Sequence, residues 1–126
     1  MNVRTLYNLA KSMMFEKPTS RDYDNYYKDW INVLLVEQFD LNNHLRLKHG
    51  KEELTEIPSI SKDEDDVPYE SEECMEILPY GLASKFFIDD DLSKFDIYNR
   101  NYENAMSKYM WGVDQPVEDV YKVTEG

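Results

Sequence analysis

The residues that could do chemistry are few, and most are acids. Asp89-Asp90-Asp91 and the run Lys62-Asp63-Glu64-Asp65-Asp66 are the two dense carboxylate groups, and clustered carboxylates attract hard divalent cations. Neither lies in an Asp-x-Asp-x-Asp-Gly loop with a glutamate at its twelfth position. A capped helix start and a solvated loop therefore explain them better than a metal does. His44 and His49 lie five residues apart, whereas two histidines that grip a zinc ion from one helix face are spaced by four, with a glutamate between. Cys74 is the single cysteine, so neither an internal disulfide nor a cysteine-based metal site is expected. It sits beside an apolar stripe and reads as a small core residue. Four glycines leave little scope for phosphate-cradling loops, and no nucleophile elbow or Cys/His pair is present. No catalytic residue, metal ligand or cofactor is assigned, and an enzyme is not expected.

The elements around these residues are helical. Asn2 can cap a short helix from Val3 to about Phe15, with Val3, Leu6, Ala10, Met13 and Met14 on one face. Ser20 then stands before the longest apolar-periodic stretch, read as one helix from Arg21 to Lys48. Tyr23, Tyr27, Trp30, Ile31, Leu34, Leu41 and Leu45 form its stripe. Val33, Leu35, Val36 and Phe39 widen it until the middle is apolar nearly all round, which places such a helix at a bundle centre or an interface. Gly50 stops it.

A third helix is predicted from Val67 to Phe87, with Pro68 in its first turn, and a fourth from the Asp triplet to Gly112. Pro79 falls inside the third and Gly81 follows it. The apolar spacing runs in phase from Ile77-Leu78 to Leu82 and Phe86, which argues for a kink rather than a break. Pro79 and Gly81 are thus the structural residues of note. The expectation is an all-α chain: a bundle of about four helices over residues 1–112, followed by an extended arm over 113–126.

Two stretches read as partner-binding candidates. Residues 51–67 lack periodicity, and a connection that long is often a binding loop. Leu54, Ile57 and Ile60 either touch a neighbour or fold over their own bundle. After Pro116, the apolar Val117, Val120, Tyr121 and Val123 sit among acids, in a tail that is either disordered or an arm for a partner's surface.

Composition narrows the classes. The 126 residues suit one domain. A formal net charge of −12 argues against a phosphate-backbone binder. The charge is uneven: eight Lys and Arg against six Asp and Glu up to Lys51, then six against twenty beyond it. Ends of opposite sign suit head-to-tail contact between copies, while solubility plus acidic loops explains the same imbalance more simply. Ten of the seventeen aromatics are tyrosine, suited to half-buried edges and to contacts between chains. No signal-peptide pattern opens the chain, since Asn8, Lys11 and Ser12 interrupt Leu6 to Phe15. No apolar run approaches the roughly 20 residues of a membrane span.

Short helix, long helix, acidic loop, Pro-kinked helix, and a last helix with a tail: this order resembles the head-to-tail connector (adaptor) proteins of tailed bacteriophages, especially siphophage and prophage neck proteins. The likeness covers roughly residues 3–111. It is carried by the stretch Leu34-Leu35-Val36-Glu37-Gln38-Phe39-Asp40-Leu41-Asn42-Asn43, by Leu54-Thr55-Glu56-Ile57-Pro58, and above all by Ile77-Leu78-Pro79-Tyr80-Gly81-Leu82-Ala83. Asp89-Asp90-Asp91, Tyr98 and Tyr102 to Ala105 complete it.

The resemblance implies a virion protein of the neck, assembled in the bacterial host cytoplasm. Copies would form a ring on the portal protein, of expected twelvefold symmetry, and meet a tail-side neck protein. Double-stranded DNA would only pass through the lumen. Terminal arms of the family dock on the portal or on neighbours, a role open to Val113–Gly126. Two other classes compete: a small acidic inhibitor that mimics DNA, and a helical enzyme with a carboxylate metal site.

Overall fold

The computed structural model describes residues 1–17 and 19–114, with side chains through Met110. Among them are five α-helices and no strand: α1 Val3–Met13, α2 Tyr27–Glu37, α3 Phe39–Lys48, α4 Leu78–Phe86 and α5 Leu92–Asp114. A π-helical turn, Glu73–Ile77, leads into α4. The all-α expectation holds. The helix inventory differs from the expected one in four places, each with a local cause.

The predicted long helix is two helices, and it starts later than Ser20. Residues 21–26 form turns, held by Asp24 N–H on the Arg21 carbonyl at 3.2 Å and Tyr26 N–H on the Tyr23 carbonyl at 3.0 Å. No side chain caps α2 at Tyr26. Between α2 and α3 the backbone departs from helical geometry at Gln38 (φ −99°, ψ 4°). The side chain there is fully buried. Its Nε2 donates to the Tyr102 hydroxyl at 2.7 Å and reaches the Met106 sulfur, both on α5. A buried amide must find partners, and these lie on the neighbouring helix, where the chain bends.

The third helix does not start at Val67. Helix begins only at residue 71, and before it the Glu70 N–H, which a helix starting at Val67 would use, donates to Asn42 Oδ1 at 2.8 Å. Helical backbone then runs without interruption from 71 to 86, so Pro79 does not break it; it follows directly on the π turn, at the first turn of α4. There the Leu78 N–H bonds back to the Glu73 carbonyl. The wider π turn supplies the extra backbone room that a proline ring otherwise takes from the preceding carbonyl. Finally, Gly112 does not stop the last helix, which runs on to Asp114.

The expected caps at Asn2 and Asp91 are present. Asn2 Oδ1 accepts from Thr5 N–H at 2.8 Å, and Asp91 Oδ1 from Lys94 N–H at 3.1 Å. Two further orphan donors of α1 are satisfied from the acidic run: Val3 N–H by the Asp65 carbonyl at 2.9 Å and Arg4 N–H by that of Asp63 at 3.0 Å.

The central element is α4, not the long apolar stretch before it. Seven of its nine residues are buried, whereas Val33 and Val36 on α2 face outward. Small residues let α4 take that place. A Cβ on Gly81 would stand 2.7 Å from Leu34 Cδ2 and 2.9 Å from Tyr102 Cε1, so α2 and α5 both close on the bare backbone. Leu78, Leu82 and Phe86 of α4 share the core with Leu6, Tyr7, Ala10, Ile31 and Leu34. Each such aliphatic or aromatic side chain contributes roughly 1.5–3 kcal/mol on burial.

Aromatic stacking fills one side. Tyr7 lies on Tyr27 with centroids 4.0 Å apart, and Tyr23 on Phe86 at 4.2 Å. Many of the tyrosines are thus core or edge packing, their hydroxyls bound to Asp24 (Tyr7) and to the Met13 carbonyl (Tyr98). Cys74 is buried as expected, and burial lifts its thiol to about 11.

Candidate functional site

The clustered acids are used as ligands for the protein's own groups. Asp65 Oδ2 accepts from the Ser61 and Lys62 amides, each at 2.9 Å. Asp63 takes the Tyr27 hydroxyl and faces Lys28 Nζ at 3.5 Å. Those hydrogen bonds hold Asp63 and Asp65 below the usual carboxylate range. Among the described residues no group of three His, Cys, Asp or Glu side chains is placed to hold a metal ion.

His49 sits between two carboxylates, Nδ1 at 2.7 Å from Glu70 Oε1 and Nε2 at 2.9 Å from Glu72 Oε2. Both ring nitrogens face carboxylate oxygens, an arrangement that favours the imidazolium, and the His49 pKa is raised, chiefly by the Glu70 hydrogen bond. Glu70 also receives Lys51 Nζ at 2.8 Å and faces Arg46 Nη1 at 3.5 Å. Burial opposes its charge, but the hydrogen bonds from Lys51 and His49 win and keep it below its ordinary value. This group ties the end of α3 to the start of the third helical segment. The spacing of His44 and His49 held no hint of it, because the partners come from 21 and 23 residues away.

Loop 51–67 folds over its own bundle. Ile60 is buried in the core and Leu54 packs against it, which corrects the expectation that they reach a neighbour. Two asparagines do the holding. Asn32 gives Nδ2 to the Ile60 carbonyl at 3.0 Å and takes the Ile60 N–H at 2.8 Å. Asn43 does the same for Leu54, at 3.2 and 2.8 Å. A carboxamide carries one acceptor and one donor group in the arrangement of a peptide, so it pairs with both polar groups of one loop residue. Asn32 is on α2 and Asn43 on α3, so both helices hold the loop. Of the three loop candidates only Ile57 stays outside, 48% exposed.

At the α2–α3 bend a polar chain crosses the bundle. Gln38 Nε2 donates to the Tyr102 hydroxyl, which donates to Glu37 Oε1 at 2.8 Å, and Lys85 Nζ donates to Glu37 Oε2 at 2.9 Å. Gln38 Oε1 has no partner. Neither has either carboxylate oxygen of Glu73, which is 0% exposed in the π turn. Burial, then the charge of Glu72, pushes the Glu73 carboxyl up to about 9, so at neutral pH it is the neutral acid.

Exposed apolar side chains are spread over the surface, Val33, Val36, Ile57 and Ile97 among them, with one group near each end of the bundle. At one end, α1 finishes against α5, where Tyr98 reaches the Met13 carbonyl. Phe15, Ile88 and Leu92 are exposed there. Phe15 is 92% exposed and takes a positive φ of 61°. It occupies the left-handed position that closes a helix, Glu16 N–H bonding back to the Lys11 carbonyl at 2.9 Å, where glycine is usual. Beside it, Tyr23, Tyr26, Trp30, Phe86 and Ile88 line a recess of about 380 Å³ rimmed by Lys85 and acids.

At the other end, Leu47, Met75 and Met110 are exposed. Glu76, next to Met75, bonds to Lys108 and Tyr109 of α5. Val117, Val120, Tyr121 and Val123 lie outside the described residues.

No family model matches this chain, and no curated protein or solved structure matches it.

Proposed function

We propose that the protein is a structural adaptor of a tailed-phage neck, a head-to-tail connector that forms a ring on the portal and extends the DNA channel towards the tail. The observation that supports this best is that the exposed apolar side chains include a group near each end of the bundle: Phe15, Ile88 and Leu92 at one, Leu47, Met75 and Met110 at the other. Leu92 and Met110 are separated by about 27 Å along α5, at 1.5 Å per residue. A spacer between two protein partners needs an apolar contact at each end. Phe15 adds weight, since an exposed aromatic on strained backbone points to a site with a purpose beyond stability. The resemblance in chain order supplies the partners: the portal protein, a tail-side neck protein and neighbouring copies, with DNA passing through.

Acidic DNA mimicry gains nothing from the geometry. Asp63, Asp65, Glu70, Glu76 and Glu37 are each engaged by Tyr, Lys, His or backbone donors. A mimic needs its charges free and regularly spaced like phosphates.

The test is quantitative peptide mass spectrometry of purified particles from the source. Copy number equal to that of the portal protein is the expected result. Absence from particles, with abundance in infected cells, overturns the adaptor reading in favour of an intracellular inhibitor.

A further inference from the structure

The recess lined by Tyr23, Tyr26, Trp30 and Phe86 joins aromatic walls to an acidic rim. Its volume of about 380 Å³ falls within the roughly 300–1,000 Å³ common to ligand sites. Tyr23 is fixed by stacking on Phe86, with centroids 4.2 Å apart. Tyr26 is 55% exposed and leaves an aromatic face open to solvent. Beside these rings stand Asp22, Asp89 and Asp90, all exposed. Among the described residues none of these three carboxylates is paired with a cation. Lys85, the one cation of the lining, is turned to Glu37 Oε2 at 2.9 Å, and the neighbouring Arg21 to Asp24 at 3.3 Å. The rim is therefore left negative. Tyr23 feels that field: burial first, then the charges of Glu16, Asp90 and Asp22, push its hydroxyl up to about 12.

We propose that this recess docks an arginine side chain presented by a protein partner, the guanidinium lying on the Tyr26 and Trp30 rings and donating to the carboxylates of the rim. The chemistry of the lining selects that occupant. Aromatic faces attract a cation within about 6 Å of the ring centroid, and the Lys85 ammonium already lies 5.9 Å from that of Trp30. Among the described residues no three carboxylates are placed to hold a metal ion, so the cation that fits is an organic one. A quaternary ammonium would suit the rings but offers the acids no hydrogen bond. A lysine can pair with one acid but cannot stack. The planar guanidinium stacks on aromatic rings and carries five N–H donors in a fork that matches carboxylates. At a formal net charge of −12 the field of the whole chain steers a basic partner towards it more readily than a second copy. The match depends on this face alone, so it stands or fails separately from the adaptor reading.

The test is an NMR titration of the isotope-labelled full chain at low ionic strength, where exposed charges are least screened. The probe is acetyl-Gly-Arg-Gly-amide, with the citrulline peptide as its uncharged counterpart. The arginine peptide is expected to shift the Trp30 indole N–H and the Tyr26 amide saturably, and the citrulline peptide to leave them in place. The double variant Asp89→Asn with Asp90→Asn removes two unpaired exposed charges and keeps the Asp91 cap of α5. It is expected to weaken binding roughly fivefold with an unchanged melt. An arginine peptide that leaves these signals unmoved, an equal response to citrulline, or an affinity unchanged in the double variant overturns the site. Shifts of the same signals on concentrating the protein without peptide, lost in the double variant, overturn the partner in favour of a second copy.

Discussion

Glu73 is the side chain with the largest consequence for stability. Its carboxyl is buried without a partner and titrates at about 9, against 4.5 when free. From pH 4.5 up to about 9 the unfolded chain has released a proton that the native state retains, so stability falls as pH rises through that window. At pH 7 the accumulated penalty is about 3 kcal/mol. Glu73→Gln keeps the shape and removes the titration. Urea denaturation is expected to show the variant more stable than the parent at pH 8 and similar to it at pH 5. Parallel pH profiles would falsify the assignment of a neutral buried acid. His49 acts in the same direction. Its raised pKa gives stability that is complete below 6.5 and lost as pH rises through the folded value. Neither effect was legible from sequence, because Glu73 sits in a run of acids that reads as solvated until the π turn directs it inward.

At the scale of elements, two features hold the bundle in register. The first is the bare backbone at Gly81. Gly81→Ala places a methyl against Leu34 and Tyr102 at distances no real contact shows, and overpacking of this kind costs about 1–3 kcal/mol. A lower urea midpoint with an unchanged slope is the expected signature. The second is the pair of asparagine clamps on the loop. In Asn32→Ala the Ile60 amide and carbonyl lose their partners, at a cost of about 1–3 kcal/mol for buried groups left unpaired. Hydrogen exchange at Ile60 should accelerate while the α4 amides keep their protection; uniform acceleration would show that the loop does not open by itself. Gly81 was visible in the sequence as a residue out of place in a helix. The clamps were not, since a carboxamide on a helix face does not announce which strand of loop will cross it.

For the whole molecule, the two apolar ends are the features that an adaptor would use. Phe15→Gly relieves the left-handed backbone of a β-carbon, worth about 1 kcal/mol, and removes a ring that packs on almost nothing. The variant is expected to melt higher than the parent yet to bind its partner at that end more weakly. A melt that rises with binding unchanged would remove that end of the bundle from the interface. Leu92→Ser probes the same end without touching strained backbone, and loss of binding in both variants is the expected pattern.

Periodicity alone determined that the chain is helical, where α1 and α5 begin, and that Cys74 is core, because caps and apolar spacing act within a few residues of each other. The bend at Gln38 was decided by Tyr102 and Met106, more than sixty residues away. The late start of the third helical segment goes with Asn42, which takes the Glu70 amide. Burial of Ile60 depended on Asn32, and the central place of α4 on small residues that matter only when neighbours close on them. Hydrogen bonding and close packing are satisfied in three dimensions, and a buried donor or acceptor takes whichever partner the fold brings near. The sequence therefore carried the elements, while tertiary structure decided their breaks, their order around the core and which apolar side chains remain outside.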